Sequence, residues 1–397
     1  MQPAPIIAVL PYENFLPVLR SLEHAAVNGT LVRKSAHEVF DRTNSAIGDV
    51  AAQVFANIAR LPAEQRPAAM RGVDALRDAT EAARAVRDLT DRLPRASFIR
   101  PFDIDGAPLV GPLSDLRTAI ERGVRELSTV PEVGVPAFPT PTDDAAQAAR
   151  IVQERRAGAA SQLAARITDA ERAAVSKGAW NGPTRRLLGG AAVQRAAGMD
   201  VLGLEHLRAA PNAIVAPVHA GLWDLQRAMV GHQESFRTMA VDWLWNIPGA
   251  GPALDHMGAF PVSYGSSAGA LRVATGALLD GQRLLMYPSG IIPVSREIMP
   301  ARRGAALLAI RTGTPVVPVG EYGTAPARVY GKTSLGRLLD GAHRSAVVYG
   351  EPIPTWHLDP NNKAHVIALT AEIERRQHEL SAVAREHVES IARQPER

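Results

Sequence analysis

One histidine and one aspartate stand close together in the chain, in a setting suited to proton transfer. His219 follows the apolar run NAIVAPV at 212–218, and Asp224 comes after Ala-Gly-Leu-Trp. A strand that turns into a helix can bring the carboxylate back to the imidazole. One ring nitrogen is then fixed by the carboxylate, and the other can take a proton from a hydroxyl. The spacing therefore indicates a general base, although an aspartate that caps a helix near an ordinary histidine gives the same pattern.

The elements that must position this pair are strands, and the second part of the chain supplies them. Apolar, β-branched runs alternate there with helical patterns. The runs occupy 212–218, 258–264, 283–289, 315–320 and 345–350. Such runs are typical of buried strands in an α/β sheet. We predict an α/β domain over 181–397, with a mixed, largely parallel sheet flanked by helices and a long amphipathic C-terminal helix over 364–394.

The first part of the chain has helical patterns and no recognisable chemistry. Apolar residues recur at helical spacing in three segments, which are 35–61, 62–93 and 113–127. They predict an N-terminal helical bundle over 1–128 with a structural or docking role. Residues 129–142 hold four prolines, a composition typical of linkers. An Ala-rich helix follows at 143–177, so we predict a linker and connecting helix over 129–180.

The composition excludes several functions. The chain of 397 residues has no cysteine, which excludes disulfides, thiol catalysis and Cys-ligated zinc. A net charge of +4 and a pI of about 9.6 suit anionic lipid surfaces or phosphorylated substrates. The excess is too small to indicate nucleic acid, and no aromatic residues are interleaved with basic ones. Without a basic leader or an apolar stretch of about 18 residues, we expect a cytoplasmic protein that contacts a membrane only at its surface.

Further blocks surround the histidine and aspartate in a fixed order. They are MDVLGLEHL (199–207) before the pair, and WNIPGAGPALDHMGAFPVSY (245–264), RLLMYPSG (283–290) and ARRGAALLAIRTGTPVVPVG (301–320) after it. In order and spacing the series resembles the glycerolipid acyltransferase family, which includes glycerol-3-phosphate and lysophosphatidic acid acyltransferases. The resemblance covers about residues 185–355. The helical domain ahead of it is also similar in layout to the soluble plastid glycerol-3-phosphate acyltransferases.

The resemblance implies a reaction. His219 would deprotonate an acceptor hydroxyl, with Asp224 orienting the imidazole, and the hydroxyl oxygen would attack the thioester of an acyl-CoA or acyl-carrier-protein donor. No metal, cofactor or covalent enzyme intermediate is expected. The acceptor would be a lipid precursor such as a glycerol phosphate. Arg302 and Arg303 match the basic pair that holds the acceptor phosphate in the family, although a solvent-facing helix start would look the same.

Two positions depart from the family pattern. Tyr264 stands where the second block usually ends in Arg, and Ser289 stands where the third block usually has Glu, in Tyr-Pro-Ser-Gly. Both family residues help to bind the acceptor head group. We therefore expect a changed head-group site that includes Tyr264, Ser289 and Gly290, with Arg296 or Arg272 supplying the missing cation. The alternative is a non-catalytic, lipid-binding relative.

A second motif predicts a different reaction. Gly-Ser-Ser-Ala-Gly at 265–269 fits the Gly-x-Ser-x-Gly elbow of α/β-hydrolases, in which Ser267 would be the nucleophile of an esterase. That reading requires a histidine beside Ser267 and leaves the other blocks unexplained. A turn of small residues at the start of the next helix also accounts for the motif.

Overall fold

A computed structural model describes most of the chain. The described residues are 7–28, 31–93, 103–104, 106–177, 198–219, 236–263, 267–291, 297–323 and 344–392. All helices and strands below belong to these residues.

The N-terminal part is a helical bundle with its own core. Its helices are α1 (Phe15–Val27), α2 (Arg33–Asn57), α3 (Arg66–Arg92) and α4 (Val110–Leu127). α3 packs against both α2 and α4, and α1 packs against α4. Their apolar faces meet inside the bundle, where Leu19, Val39 and Leu76 are fully buried. Helices this long are stabilised mainly by such packing rather than by propensity alone.

Short strands and single 3-10 turns connect the bundle helices. β1 (Ile7–Ala8) pairs in parallel with β4 (Val133–Gly134), and β2 (Leu31–Val32) pairs antiparallel with β3 (Asp103–Ile104). The 3-10 turns are Tyr12–Asn14, Ile58–Arg60 and Ala107–Leu109. The β1–β4 pair ties the start of the described chain to the proline-rich segment, so part of the predicted linker is attached to the bundle.

Two helices follow that segment and lie against the α/β part. They are α5 (Ala145–Ala164) and α6 (Asp169–Ser176). Asp144 caps α5 by accepting from the Gln147 amide, and Thr168 forms a reciprocal capping box at the start of α6. Arg155 on α5 donates to the carbonyl oxygens of Ile310 and Thr355 at 3.2 and 2.9 Å. These helices therefore cover the sheet domain, while the predicted domain boundaries stay a prediction.

The central sheet confirms the predicted fold class. Its described strands are β5 (Met199–Leu202), β6 (Ile214–Pro217), β7 (Arg237–Val241), β8 (Ala259–Val262), β9 (Leu284–Leu285), β10 (Val316–Tyr322) and β11 (Ser345–Tyr349). They stand in the order β5-β11-β10-β6-β9-β7-β8. All neighbours run parallel except β10 and β11. A mixed, largely parallel sheet with helices at its faces is an α/β architecture.

The remaining helices pack on this sheet. They are α7 (Leu204–Ala209), α8 (Ala250–His256), α9 (Ala268–Leu279), α10 (Gly304–Thr312) and α11 (Lys363–Ala392). The alternation of side chains along β6 sends Ile214 and Ala216 into the core beneath α9, α10 and α11, and sends Val215 into the core on the opposite face. α11 crosses β10 so closely that a Cβ added to Gly320 would lie 2.3 Å from the Leu380 carbonyl carbon. Only glycine permits this contact.

A 3-10 turn at Asp242–Asn246 follows β7. None of the described helices is both long enough and apolar enough to cross a membrane.

Candidate functional site

His219 lies directly beyond the end of the central strand β6. The strand is buried along its whole length, and the amide of Val218 still donates to the Val319 carbonyl oxygen of β10 at 3.1 Å. His219 is the next residue and is partly exposed. Crevices at the carboxyl ends of parallel strands are where open α/β sheets bind ligands. Asp224 lies outside the described residues, so its pairing with His219 stays a prediction.

Tyr287 forms one wall beside the histidine. Its ring stacks on the His219 imidazole, with centroids 4.3 Å apart and planes inclined by 24°. Tyr287 follows β9, the parallel neighbour of β6, and the adjacent Met286 amide donates to the Val215 carbonyl oxygen at 2.9 Å. The two side chains meet because adjacent parallel strands end at the same edge. Tyr287 was not among the predicted site residues, although it opens the Tyr-Pro-Ser-Gly block.

The Tyr-Pro-Ser-Gly block forms a tight turn. The Gly290 amide donates to the Tyr287 carbonyl oxygen at 3.0 Å, and Gly290 has a φ of +69°, in the left-handed region that favours glycine. Ser289 is buried, and its hydroxyl donates to the Ile291 carbonyl oxygen at 3.2 Å. The Ser289 hydroxyl thus stabilises the turn through this hydrogen bond. The predicted substrate contacts of Ser289 and Gly290 stay predictions.

Arg302 lies alongside this turn. Its amide donates to the Pro288 carbonyl oxygen at 2.9 Å, and a Cβ added to Gly290 would lie 3.7 Å from the Arg302 Cδ. Arg302 is exposed. A cationic side chain is therefore held next to the loop that carries Tyr287, which in turn contacts His219. This places a candidate anion-binding group and a candidate base at one edge of the sheet.

Arg303 points to a different partner. Its Nη2 lies 2.6 Å from the Asp49 carboxylate on α2 of the helical bundle. The two arginines, predicted as one phosphate-binding pair, therefore have different surroundings. Arg302 is exposed beside the turn, whereas Arg303 forms an ion pair between the two parts of the chain and precedes α10.

A third arginine lies beneath this segment. Arg42 on α2 is 6% exposed, and its Nη2 donates to the Pro300 carbonyl oxygen. Burial, together with the neighbouring positive charge of Arg302, lowers the pKa of Arg42 to about 9. The Arg42 Nη1 is buried with no hydrogen-bond partner. No local pattern marks Arg42 as a site residue, because it stands among the polar residues of an ordinary helical pattern.

Glu374 on α11 reaches the same segment from another side. It is 3% exposed and accepts from the Ala301 amide at 3.1 Å and from the Asn14 side-chain amide at 2.7 Å. Burial raises the pKa of Glu374 to about 7, against the opposing effect of these hydrogen bonds. Asn14 immediately precedes α1. The segment 297–303 is thus bounded by the bundle and by α11.

Arg296 and Arg272 were the two candidates to replace the family arginine, and the structure describes only the second of them. Tyr264 and Arg296 lie outside the described residues, so their roles stay predictions. Arg272 is bound at both ends of its guanidinium to Glu171 on α6, at 2.6 and 2.9 Å. This hydrogen bonding lowers the pKa of Glu171 to about 2. Arg272 therefore fastens α6 to α9, and the suggestion that it supplies a head-group cation stays a prediction.

Ser267 has none of the surroundings of a hydrolase nucleophile. It precedes α9 with φ −91° and ψ −4°, an ordinary right-handed conformation rather than the strained turn of an elbow. Among the described residues, no histidine hydrogen-bonds to Ser267. Gly269 has a packing role instead, because a Cβ there would lie 2.9 Å from the Glu171 carboxylate. The motif is therefore explained by the first turn of α9, which packs against α6.

The described part of the chain holds no cluster of three or more histidine or acidic side chains able to bind a metal ion.

The described sheet thus carries a histidine at its carboxyl edge and an arginine beside the adjoining loop. Residues 198–321 match the model of a family described as Acyltransferase. The match covers less than half of the chain and confirms the resemblance to an acyltransferase family found in the sequence. The matched segment contains His219, Tyr287 and Arg302.

The solved structures that are similar to the chain include one acyltransferase. It is the 1-acyl-sn-glycerophosphate (LPA) acyltransferase PlsC from Thermotoga maritima, with 19% sequence identity and a TM-score of 0.40, covering 54% of this chain and 80% of that chain. No curated protein sequence matches the chain significantly.

Proposed function

We propose that this protein transfers a fatty acyl group from an acyl-CoA or acyl-carrier-protein thioester to a hydroxyl of a phosphate-bearing lipid precursor, such as a glycerol phosphate. The observation that carries the proposal is the placement of His219 and Arg302 at one edge of the sheet. They are connected through the stacked ring of Tyr287 and the hydrogen bond between the Arg302 amide and Pro288.

In the proposed mechanism His219 acts as a general base. It takes the proton of the acceptor hydroxyl while the hydroxyl oxygen bonds to the thioester carbonyl carbon. The tetrahedral intermediate then collapses, the carbon–sulfur bond breaks, and the imidazolium returns the proton to the leaving thiolate. Asp224 is the proposed partner that fixes the imidazole tautomer. The donor brings the acyl group, so the reaction needs no further cofactor.

Arg302 is the proposed contact of the acceptor phosphate. Its guanidinium can bind two phosphate oxygens at once, and it is exposed beside the turn at Gly290. Arg303 is bound to Asp49, and its proposed role is to hold the segment that carries Arg302. We propose that Tyr264, Ser289 and Arg296 shape the rest of the head-group site. The replacement of the usual arginine and glutamate favours an acceptor different from the family's common one.

We further propose that the enzyme works at the inner surface of a membrane, where such acceptors become lipids. The segment after β7 lies at the same edge of the sheet as His219, and its Ile247 is 44% exposed. The nearby Trp243 and Trp245 are partly buried. Tryptophan and isoleucine at this edge suit a contact with lipid headgroups. The proposal requires neither a spanning helix nor nucleic acid.

The test is thiol release from a panel of acyl-CoAs and an acyl-carrier protein, with and without phosphate-bearing acceptors. We expect release only with an acceptor, and its loss in His219→Ala but not in Ser267→Ala. Loss of an acceptor-independent release only in Ser267→Ala would identify an esterase. Absence of release from wild-type protein with every donor and acceptor would favour a non-catalytic relative.

A further inference from the structure

The helical bundle and the α/β domain share a core at one place. Ile291 and Met299, which belong to the α/β part, are buried in the apolar core of the bundle. They stand at either end of the stretch that separates the Tyr-Pro-Ser-Gly turn from Arg302. The bundle thus packs directly behind the segment 297–303.

Arg42 adds a polar contact at the centre of this packing. Its guanidinium is almost completely buried, and it donates to the Pro300 carbonyl oxygen, two residues before Arg302. A buried arginine costs free energy unless its charge is paired and hydrogen-bonded, since apolar residues of similar volume often pack as well or better. Here the carboxylates of Glu38 and Glu374 stabilise the charge, whereas burial, the nearby Arg302 charge and one guanidinium nitrogen without a hydrogen-bond partner oppose it.

Two further contacts fix the same segment. Asp49 lies about two helical turns after Arg42 on α2. Its carboxylate binds the Arg303 guanidinium at 2.6 Å. Glu374 on α11 accepts from the Ala301 amide at 3.1 Å and, through Asn14, is connected to the start of α1. Residues 300, 301 and 303 are therefore each bound by a different side chain. Arg302 lies between them and is the exposed residue of the group.

We propose that the helical bundle positions the acceptor-binding segment 297–303, with Arg42 as the main positioning residue and Asp49 as the second. This inference rests on the proposed function and deepens it, because it assigns the bundle a part in acceptor affinity. Arg42 acts through the Pro300 carbonyl, which sets the backbone from which Arg302 extends. A displacement of about 1 Å in a substrate-binding group can cost up to about a hundredfold in rate or affinity.

The experiment measures amide hydrogen exchange of the peptide that covers 297–303 in the full chain, together with steady-state kinetics. Arg42→Met keeps the apolar stem and removes the guanidinium. Asp49→Asn is the second variant, and it is exposed enough not to threaten folding. Arg87→Gln is the matched control, because Arg87 forms an ion pair with Asp41 of the same helix α2. Thermal melting checks that each variant is folded.

We expect exchange in 297–303 to be about tenfold faster in Arg42→Met, with a smaller increase in Asp49→Asn and none in Arg87→Gln. The KM for the phosphate-bearing acceptor that supports the fastest thiol release by the wild-type protein should rise about tenfold in Arg42→Met, while the KM for the acyl donor and kcat change less than about twofold. A general loss of packing would instead change all three kinetic constants.

Unchanged exchange in 297–303 for both variants would overturn the inference, as would faster exchange without a change in acceptor KM. Hydrogen exchange does not depend on catalysis. If the wild-type protein transfers no acyl group to any phosphate-bearing acceptor, the proposed function fails, while exchange still decides whether Arg42 and Asp49 position the segment.

Discussion

The rings of His219 and Tyr287 lie against each other, with centroids 4.3 Å apart, although each follows a different strand of the sheet. The stack fixes the plane of the imidazole without using either of its nitrogens. In the proposed mechanism one nitrogen faces a carboxylate and the other a substrate hydroxyl, as general-base catalysis requires. The orientation of the base thus depends on a residue outside the His-x4-Asp motif.

Replacement of Tyr287 should therefore affect the rate. Aromatic stacking contributes about 0.5–1.5 kcal/mol, so we expect Tyr287→Leu to lower kcat by about three- to tenfold. Tyr287→Phe keeps the ring and is the control, with kcat within about twofold of wild type. The measurement is kcat at saturating donor and acceptor. An equal loss in both variants would assign the effect to the hydroxyl rather than to the ring.

Arg302 and Arg303 should differ in their effect on acceptor binding. A hydrogen bond to a charged group contributes about 1.5–3 kcal/mol, so Arg302→Gln should raise the acceptor KM by about ten- to a hundredfold. Arg303 is bound to Asp49, and Arg303→Gln should raise it by less than about fivefold. Initial rates at varied acceptor concentration provide the comparison. Equal effects of the two substitutions would show that both arginines bind the acceptor.

Glu374 should make stability depend on pH. Burial raises its pKa from 4.5 to about 7, so the folded state holds a proton that the unfolded state has already lost between these values. The stabilisation is therefore complete below about pH 4.5 and disappears as pH rises to about 7, a change of up to about 3 kcal/mol. In Glu374→Gln this decline should be absent.

Urea unfolding of wild type and Glu374→Gln at about pH 5 and about pH 8 measures that difference. Wild type should lose stability relative to the variant at the higher pH. A parallel decline in both proteins would show that other groups cause it.

Arg237 should be essential for the attachment of α6. It is fully buried, and its guanidinium donates to the carbonyl oxygens of Gly258, Val175 and Ala174 at 2.7, 3.1 and 2.9 Å. Two of these carbonyls, those of Ala174 and Val175, belong to the last turn of α6, where carbonyl groups have no hydrogen-bond donor within the helix. Arg237→Met should lower the free energy of unfolding by about 3 kcal/mol.

Denaturant unfolding checks the magnitude for Arg237→Met, with the exposed Arg385→Gln on α11 as control. Limited proteolysis should cut first near α6 in Arg237→Met, because the end of that helix is released. Cleavage elsewhere with α6 intact would contradict the assignment.

Local patterns were sufficient to predict most elements. The apolar runs at 212–218, 283–289, 315–320 and 345–350 all contain strands of the sheet. This agreement has a physical reason, because a strand buried on both faces needs an unbroken apolar run. The predicted helix over 143–177 is instead two helices with a break at 165–168, where the capping box of Thr168 starts the second helix.

Contacts between distant segments were not predictable in the same way. Arg42 and Glu374 stand at opposite ends of the chain, and each is one polar residue in an amphipathic helix. Their burial next to 297–303 depends on how the bundle and α11 pack. The Gly-x-Ser-x-Gly motif is the opposite case. Its pattern predicts a catalytic serine, but the glycine at 269 is explained by close packing against Glu171.

The sequence by itself determined the fold class, the position of His219 at a strand end and the order of the family blocks, because strand burial and motif spacing are local properties. Only the tertiary structure decided that Tyr287 stacks on His219, that Arg302 and Arg303 have different surroundings, and that the bundle lies behind the segment 297–303. These relationships depend on which surfaces pack together, and the free energy of packing is shared among residues far apart in the chain.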